Sequence, residues 1–169
     1  MTELDQVWSE MIGSATASAA RSGNRVALDY LMLRATNDQI RNAGVAWLFD
    51  TATGIVAEHM RLRPHLTAES LEPNSFRHGN SNLVGRAMNF RLGVRCLTIE
   101  AGWTRTPADG IMRGGSLATA RISHFGMPRE TALLQLILAE PSPVWVDIDV
   151  REPIDSSYFE RHFEVLIDA

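Results

Sequence analysis

Residues 128–150 constrain the fold more than any other stretch, because two different apolar periods follow one another there. The first set recurs at the three- and four-residue spacing of one helix face: Leu133, Leu134, Ile137 and Leu138. The second set alternates with other residues, as in a strand with one buried face: Val144, Val146, Ile148 and Val150. Pro128 suits the first turn of a helix, and Pro141 suits its end. The pattern predicts an internal helix over about 128–140, packed on a sheet, and then a strand.

The N-terminal part of the chain reads as helices followed by a hairpin. Apolar residues at helical spacing predict a first helix that ends near Gly23, and residues 25–34 read as a second helix. A short third helix would end at Gly44. The alternation after Gly44 predicts a β-hairpin over residues 45–62, with a glycine in its turn.

The remaining segments complete the predicted architecture. Periodicity is absent from residues 64–85, which are therefore predicted to form a long loop, and residues 92–100 read as a strand. Residues 116–125 fit either a strand or a short helix. A C-terminal helix is predicted from a capping-box spacing between Ser157 and Glu160, with an edge strand as the alternative. The predicted class is α+β with a mainly antiparallel sheet.

Length and composition indicate one ordinary globular domain over residues 1–169. The chain is 45% hydrophobic, which is enough for a core, yet its longest apolar runs are too short for a membrane-spanning helix. The acidic, amphipathic start does not resemble a secretory signal. With a single cysteine, Cys96, there is no internal disulfide. We therefore expect a cytoplasmic location. We also expect the protein to be soluble and of bacterial type.

All sixteen basic residues are arginines, and this composition excludes several kinds of chemistry. Without lysine there is no Schiff base, so an ordinary pyridoxal-phosphate enzyme and a lysine-dependent aldolase are excluded. A Walker-type phosphate loop is excluded for the same reason. We expect no cofactor.

Charge is distributed unevenly along the chain. Residues 1–75 carry a net charge of −3, residues 76–129 carry +6, and residues 130–169 carry −7. A basic centre between acidic flanks favours either an anion site or arginines that pair with the flanking acids inside the domain. DNA reading is disfavoured, because the segment after Gly44 is too apolar to lie in a groove.

The most chemically dense segment of the predicted loop contains Arg77, His78 and Asn80. Arginine holds anions in a fork, histidine transfers protons near neutral pH, and an asparagine amide orients a carbonyl group. Arg95 or Arg113 is expected to complete an anion clamp around these three residues. If His78 is a general acid or base, its carboxylate partner is Glu100, the one acid between residues 76 and 108.

Other candidate chemistry has simpler structural explanations. No two of the five histidines lie three or four residues apart, so no metal site is predicted. Cys96 reads as a small core residue, and the Gly114–Ser116 segment as a turn rather than an anion-binding helix start. Asp147 and Asp149 share one strand face, where plain solvation is the expected role.

The sequence therefore favours a non-catalytic ligand-binding or interaction domain for an anionic small molecule or an acidic partner. A small cofactor-free enzyme that acts on an anionic metabolite through His78 is the first alternative, and a nucleic-acid-binding protein is the second. A homodimer is expected, because a chain of only 169 residues has four tryptophans and a long apolar N-terminal helix that can dock onto a partner. Two-fold pairing is the commonest form of assembly.

Overall fold

Between residues 3 and 168, the range that this computed structural model describes, the chain forms three helices and six antiparallel strands. The side chains of residues 3–5 and 113 lie outside the described part. The elements are α1 (Glu3–Arg21), α2 (Arg25–Leu62), β1 (Leu66–His78), β2 (Ser81–Leu92), β3 (Arg95–Trp103), β4 (Ala118–His124), β5 (Met127–Ile137), β6 (Val144–Asp147) and α3 (Ser156–Asp168). The predicted α+β class, the N-terminal helices and the C-terminal helix are confirmed. No helix in the described range is long and apolar enough to cross a membrane.

Two compact units divide the chain, Met1–Ala43 and Gly44–Ala169, which we call the helical unit and the sheet unit. In the helical unit, Gly23 adopts a positive φ of 68° in the turn that separates α1 from α2. Asn24 caps α2 by accepting a hydrogen bond from the backbone N–H of Ala27 at 3.1 Å. The indole N–H of Trp8 donates to Asp38 at 3.2 Å, which fixes how α1 lies along α2.

The strands of the sheet unit form a meander in which each strand pairs with its neighbours in the sequence. One face of this sheet carries the large apolar side chains that α2 and α3 cover, including Phe90, Leu97, Ile99, Ile122, Leu134 and Leu136. The rings of Phe90 and Phe163 meet edge to face with centroids 5.0 Å apart, so α3 packs on the centre of this face. We call the opposite side of the sheet the open face.

The predicted internal helix over 128–140 is wrong, because this segment is strand β5. Its backbone pairs with β4 on one side and with β6 on the other. Burial follows a period of two, with Ala132, Leu134 and Leu136 inside. The helix-forming residues of this segment are overruled by pairing on both sides, since strand preference depends strongly on context.

The predicted hairpin over 45–62 is also wrong, and so is the predicted helix end at Gly44, because α2 runs without a break to Leu62. Its buried residues recur at helical spacing: Val45, Leu48, Phe49, Ala52 and Val56. Gly44 serves close packing, since an added Cβ would lie only 2.6 Å from a methyl group of Leu136. The glycine therefore lets the helix approach the sheet.

The predicted loop over 64–85 is wrong as well, because it forms most of the hairpin between β1 and β2. A bulge between Leu71 and Asn74 interrupts the alternation in β1, which hides the strand period in the sequence. Most of β1 is exposed, so its composition resembles that of a loop. The two alternatives left open for residues 116–125 resolve in favour of strand β4.

Strand β6 is present, but its buried face is the reverse of the predicted one. Trp145 and Asp147 are buried, whereas Val144 and Val146 are only partly covered. The indole N–H of Trp145 donates to the carbonyl oxygen of Gly44 at 2.8 Å, which allows the tryptophan to lie inward. Asp147 lies inward because its carboxylate finds hydrogen-bond donors there.

Candidate functional site

Arg77, His78 and Asn80 lie where β1 turns into β2. Arg77 pairs across the hairpin with Asn82, and His78 pairs with Ser81. Arg77 and Asn80 are exposed, while His78 is half-buried. The structure thus keeps these three residues together, but on a tight β-hairpin rather than in a long loop.

The connection between β3 and β4 packs directly on this turn. The hydroxyl of Ser81 donates to the carbonyl oxygen of Ile111 at 3.0 Å. Gly110 touches the same serine so closely that an added Cβ would lie 2.7 Å from its hydroxyl oxygen. Arg113 follows Ile111 by two residues, although its side chain lies outside the described part of the chain. We call residues 77–82 together with residues 104–113 the hairpin end.

The one acid of the hairpin end, Asp109, is bound by its own loop and by the side chain of Asn82. Its carboxylate accepts hydrogen bonds from the backbone N–H groups of Thr106 at 2.8 Å and Arg105 at 3.2 Å. The Thr106 backbone bond is the main cause that holds the pKa of Asp109 below its usual value, against the raising effect of burial. The Arg105 guanidinium stacks 3.9 Å above the Trp103 ring. Among the described side chains, Arg77 makes no ion pair, so the hairpin end keeps a positive charge.

Arg95 does not join this group. Its guanidinium donates to the carbonyl oxygens of Ile167 at 3.0 Å and Leu166 at 3.4 Å, at the C-terminus of α3. Arg95 is paired with Leu92, at the end of β2 remote from the hairpin turn. This arginine therefore caps a helix, where its charge also complements the helix dipole.

Glu100 does not face His78 either. Its carboxylate lies on the open face and accepts hydrogen bonds from the Arg121 guanidinium, with Nε at 3.0 Å, and from the Asn74 amide at 3.2 Å. His78 lies four residues beyond Asn74 along β1, about 13 Å at the rise of a strand. The hypothesis that Glu100 assists His78 in proton transfer thus lacks the required geometry.

A second polar cluster, which the sequence analysis missed, lies between the sheet and α3. His124 Nε2 and His162 Nδ1 are 3.1 Å apart, and both histidines are almost fully buried. The Tyr158 ring lies against His162 with centroids 5.2 Å apart, and its hydroxyl donates to the Asp147 carboxylate. We call these four residues the histidine cluster.

Burial dominates the electrostatics of the histidine cluster. It lowers the pKa of His162 to about 4, and the charge that His124 carries when protonated, together with the positive charge of Arg161, lowers the value further. Burial also lowers the pKa of His124, although Glu130 opposes the shift. Both histidines are therefore neutral at neutral pH. Within the described part of the chain, the second ring nitrogen of His162 has no hydrogen-bond partner.

Tyr158 and Asp147 shift in opposite directions. Burial, together with the bond to the carboxylate, raises the pKa of the Tyr158 hydroxyl. Burial acts to raise the pKa of Asp147, but hydrogen bonds from Tyr158 and the backbone N–H groups of Asp149 and Val150 outweigh it and lower the value. A tyrosine whose pKa is raised is not an activated nucleophile. The predicted simple solvation of Asp147 is wrong, whereas Asp149 is exposed.

A sequence signal for the histidine cluster does exist. His124 continues the buried positions of β4, two residues after Ile122, and His162 lies on the apolar face of α3 with Phe159, Phe163 and Leu166. A histidine at an apolar position of an element is buried, and a buried histidine needs a partner. The partner itself was not readable, because the two histidines are 38 residues apart in the chain.

The other candidates stay structural. Cys96 is buried, with its sulfur 3.6 Å from the Thr98 hydroxyl. Gly114 and Gly115 both have positive φ, as in a turn, which agrees with the structural interpretation of this segment. Among the described side chains, no group of three or more histidine, cysteine or acidic residues is placed to hold a metal ion.

One groove of about 340 Å³ lies between α2 and α3. Its walls include Glu58, Glu160 and Glu164, with His59 beside them. An acidic groove repels anions, so it does not fit the predicted anionic ligand.

No family model matches this chain, and no curated protein and no solved structure matches it either.

Proposed function

We propose that this protein is a non-catalytic binding domain for an anionic small molecule or an acidic partner, with the hairpin end as its binding site. The observation that carries the proposal is the contact between Ser81 and Ile111, which joins the hairpin turn to the connection after β3. This contact brings two arginine-bearing segments together at one end of strands β1 to β4.

Charge and chemistry at the hairpin end support this proposal. Arg77 is exposed, and Asn80 offers amide donors beside it in the turn. The Asp109 carboxylate accepts hydrogen bonds from the backbone N–H and the hydroxyl of Thr106, and among the described side chains it makes no ion pair with Arg77. A carboxylate or phosphate group is the ligand chemistry that a guanidinium and an amide bind well.

The enzyme alternative with His78 as general acid or base has weaker support. A proton-transfer histidine needs a group that orients it and a substrate within hydrogen-bond reach. Glu100, the partner considered for that role, is bound to Arg121 instead. The nucleic-acid alternative gains no specific observation, because α2, which contains the segment after Gly44, packs on the sheet through its buried face.

Calorimetric titration with carboxylates, phosphates, nucleotides and a short oligonucleotide tests the proposal. For an anion that binds, Arg77→Ala should weaken affinity by about tenfold to a hundredfold, as expected for a lost charged hydrogen bond. Arg129→Ala is the matched control, since Arg129 is also exposed but lies on β5. Equal losses for both variants would mean that general charge, not the hairpin end, attracts the anion.

Two further outcomes separate the alternatives. Turnover of a bound anion that is lost in His78→Asn would favour the enzyme. Oligonucleotide binding that weakens steeply with salt, while no small anion binds, would favour the nucleic-acid alternative.

A further inference from the structure

The outer side of α2 in the helical unit carries a row of apolar residues that nothing within this unit covers. Val26, Tyr30 and Leu33 are 81%, 59% and 61% exposed. They are spaced by four and three residues, so they lie on one line along the helix. The side of α2 that faces α1 is a different one, marked by the half-buried residues Leu28, Leu31, Ala35 and Asp38.

The row continues with the heptad spacing of a coiled coil. Asn37 and Ile40 follow Leu33 by four and seven residues, so the five positions from Val26 to Ile40 alternate as d, a, d, a and d of a heptad. We call these five residues the α2 stripe. It spans about 21 Å of helix. Val26, Tyr30 and Leu33 are exposed along this line, whereas Asn37 and Ile40 are half-buried. Apolar residues at this spacing are typical of a coiled-coil interface.

We propose that the α2 stripe pairs with the same stripe of a second copy of this chain, with the two helices parallel and in register. Asn37 supports this arrangement, because a single asparagine at an a position sets the register and the two-stranded state of parallel coiled coils. This inference goes beyond the proposed binding function and does not depend on it.

Charges beside the stripe favour the parallel orientation. Asp29 precedes the a position of Tyr30, and Arg34 follows the d position of Leu33. In a parallel pair, the residue just before an a position of one helix lies beside the residue just after the following d position of the partner helix. Asp29 of each copy would then approach Arg34 of the other, whose guanidinium also lies 4.6 Å from the Trp8 ring centroid and donates to the Tyr30 hydroxyl at 3.4 Å in its own chain.

The size of the stripe sets the expected strength. Five partly exposed side chains in each copy remove on the order of 600–800 Å² from water when paired, which is the range of weak and reversible association. We therefore expect a dimer that dissociates on dilution in the micromolar range.

Sedimentation of the full chain over a hundredfold dilution series tests the pairing. The wild type should shift from dimer to monomer, and Leu33→Glu should weaken association about thirtyfold or more, because it places a charge in the seam of both copies. Met32→Glu is the matched control, since Met32 is 55% exposed on the same helix but lies about 100° away from the stripe. A monomer at every concentration, or equal effects of the two variants, would overturn the proposal.

Cysteine cross-linking tests the orientation without charging the seam. In a Cys96→Ser background, Val26→Cys alone and Ile40→Cys alone should each form a disulfide-linked dimer, because these positions lie at opposite ends of the stripe and equal positions meet only in a parallel pair. Cross-linking only in a mixture of the two variants would show an antiparallel pair and overturn the proposed arrangement.

Discussion

Buried apolar side chains are distributed very unevenly between the two units. In the described part of the helical unit, Ala19 is the one hydrophobic residue that is buried, whereas more than twenty are buried in the sheet unit. The sheet unit holds its centre with Phe49, Phe90, Phe159 and Phe163, all of them inaccessible to solvent. The helical unit is held by half-buried residues on the side of α2 that faces α1, by the cap at Asn24 and by the Trp8–Asp38 hydrogen bond.

This difference indicates that the sheet unit provides most of the stability, whereas the helical unit leaves apolar surface exposed to a partner. Burial of a large apolar side chain contributes about 1.5–3 kcal/mol, so a unit that buries few of them is only marginally stable alone. Exposed apolar residues in such a unit remain available for a partner. We therefore expect substitutions in the sheet unit to affect stability, and substitutions in the α2 stripe to affect association.

The largest expected effect is that of Phe163→Ala. This residue is fully buried against Phe90, so its loss should lower the free energy of unfolding by about 3–5 kcal/mol. Met32→Ala in the helical unit should change it by less than about 0.5 kcal/mol, as is usual at the surface. Urea unfolding of both variants measures the contrast, and similar losses would remove the distinction between the units.

The histidine cluster makes the stability of the sheet unit depend on pH. Burial lowers the pKa values of both histidines, and His162 falls from 6.5 to about 4. The folded protein then binds fewer protons than the unfolded chain between these values, so stability is full above pH 6.5 and decreases as the pH falls towards 4. The loss from His162 should be on the order of 3 kcal/mol.

Unfolding measured across this pH range checks the expectation. His162→Phe should flatten the slope between pH 6.5 and 4, because it removes the group with the largest shift. His65→Phe is the control, since His65 is exposed. The other ionisable groups near the pair, Glu130, Arg161, Asp147 and Tyr158, are unchanged in both variants. An unchanged slope in His162→Phe would show that the cluster is not the pH-sensitive element.

The elements that the sequence predicted correctly are those whose own period is complete. α1 and α3 each carry an uninterrupted helical period, and β3 alternates from Leu97 to Ala101. The predictions are wrong where contacts with distant parts of the chain determine the secondary structure. Strand β5 consists of helix-forming residues, and only its hydrogen bonds to β4 and β6 make it a strand. In α2, Gly44 and Gly54 imitate turn signals, although one serves close packing and the other lies in open space.

The site follows the same rule. Arg77, His78 and Asn80 are neighbours in the sequence and remain neighbours in the structure. The prediction that Arg95 and Glu100 belong to the same site depends on their charge, and charge does not show which residue lies near which. Their partners, the C-terminus of α3 and Arg121, depend on contacts across 72 and 21 residues of chain. The pairing of His124 with His162 was unreadable for the same physical reason.

The next expected effect separates structural from functional charge in the sheet unit. Glu100→Ala should lower the free energy of unfolding by about 1–2 kcal/mol, because Arg121 and Asn74 both lose their acceptor. Arg77→Ala should leave it nearly unchanged, since Arg77 is exposed and makes no ion pair among the described side chains. Chemical denaturation of the two variants provides the measurement. A stability loss in Arg77→Ala that matches the Glu100→Ala loss would place both in one internal ion-pair network.

The smallest expected effects are those of replacing one helical glycine in each unit, Gly13 or Gly44, with alanine. An added Cβ at Gly13 has no atom within 4 Å, so Gly13→Ala should stabilise α1 by about 0.5–1 kcal/mol through its higher helix propensity. At Gly44 the same Cβ would lie 2.6 Å from a methyl group of Leu136, which is itself buried and has little room to move. Gly44→Ala should therefore destabilise by about 1 kcal/mol despite the same propensity gain. Helix-sensitive circular dichroism during unfolding gives both signs, and a gain in both variants would mean that the packing of α2 on the sheet is looser than the contact at Gly44 indicates.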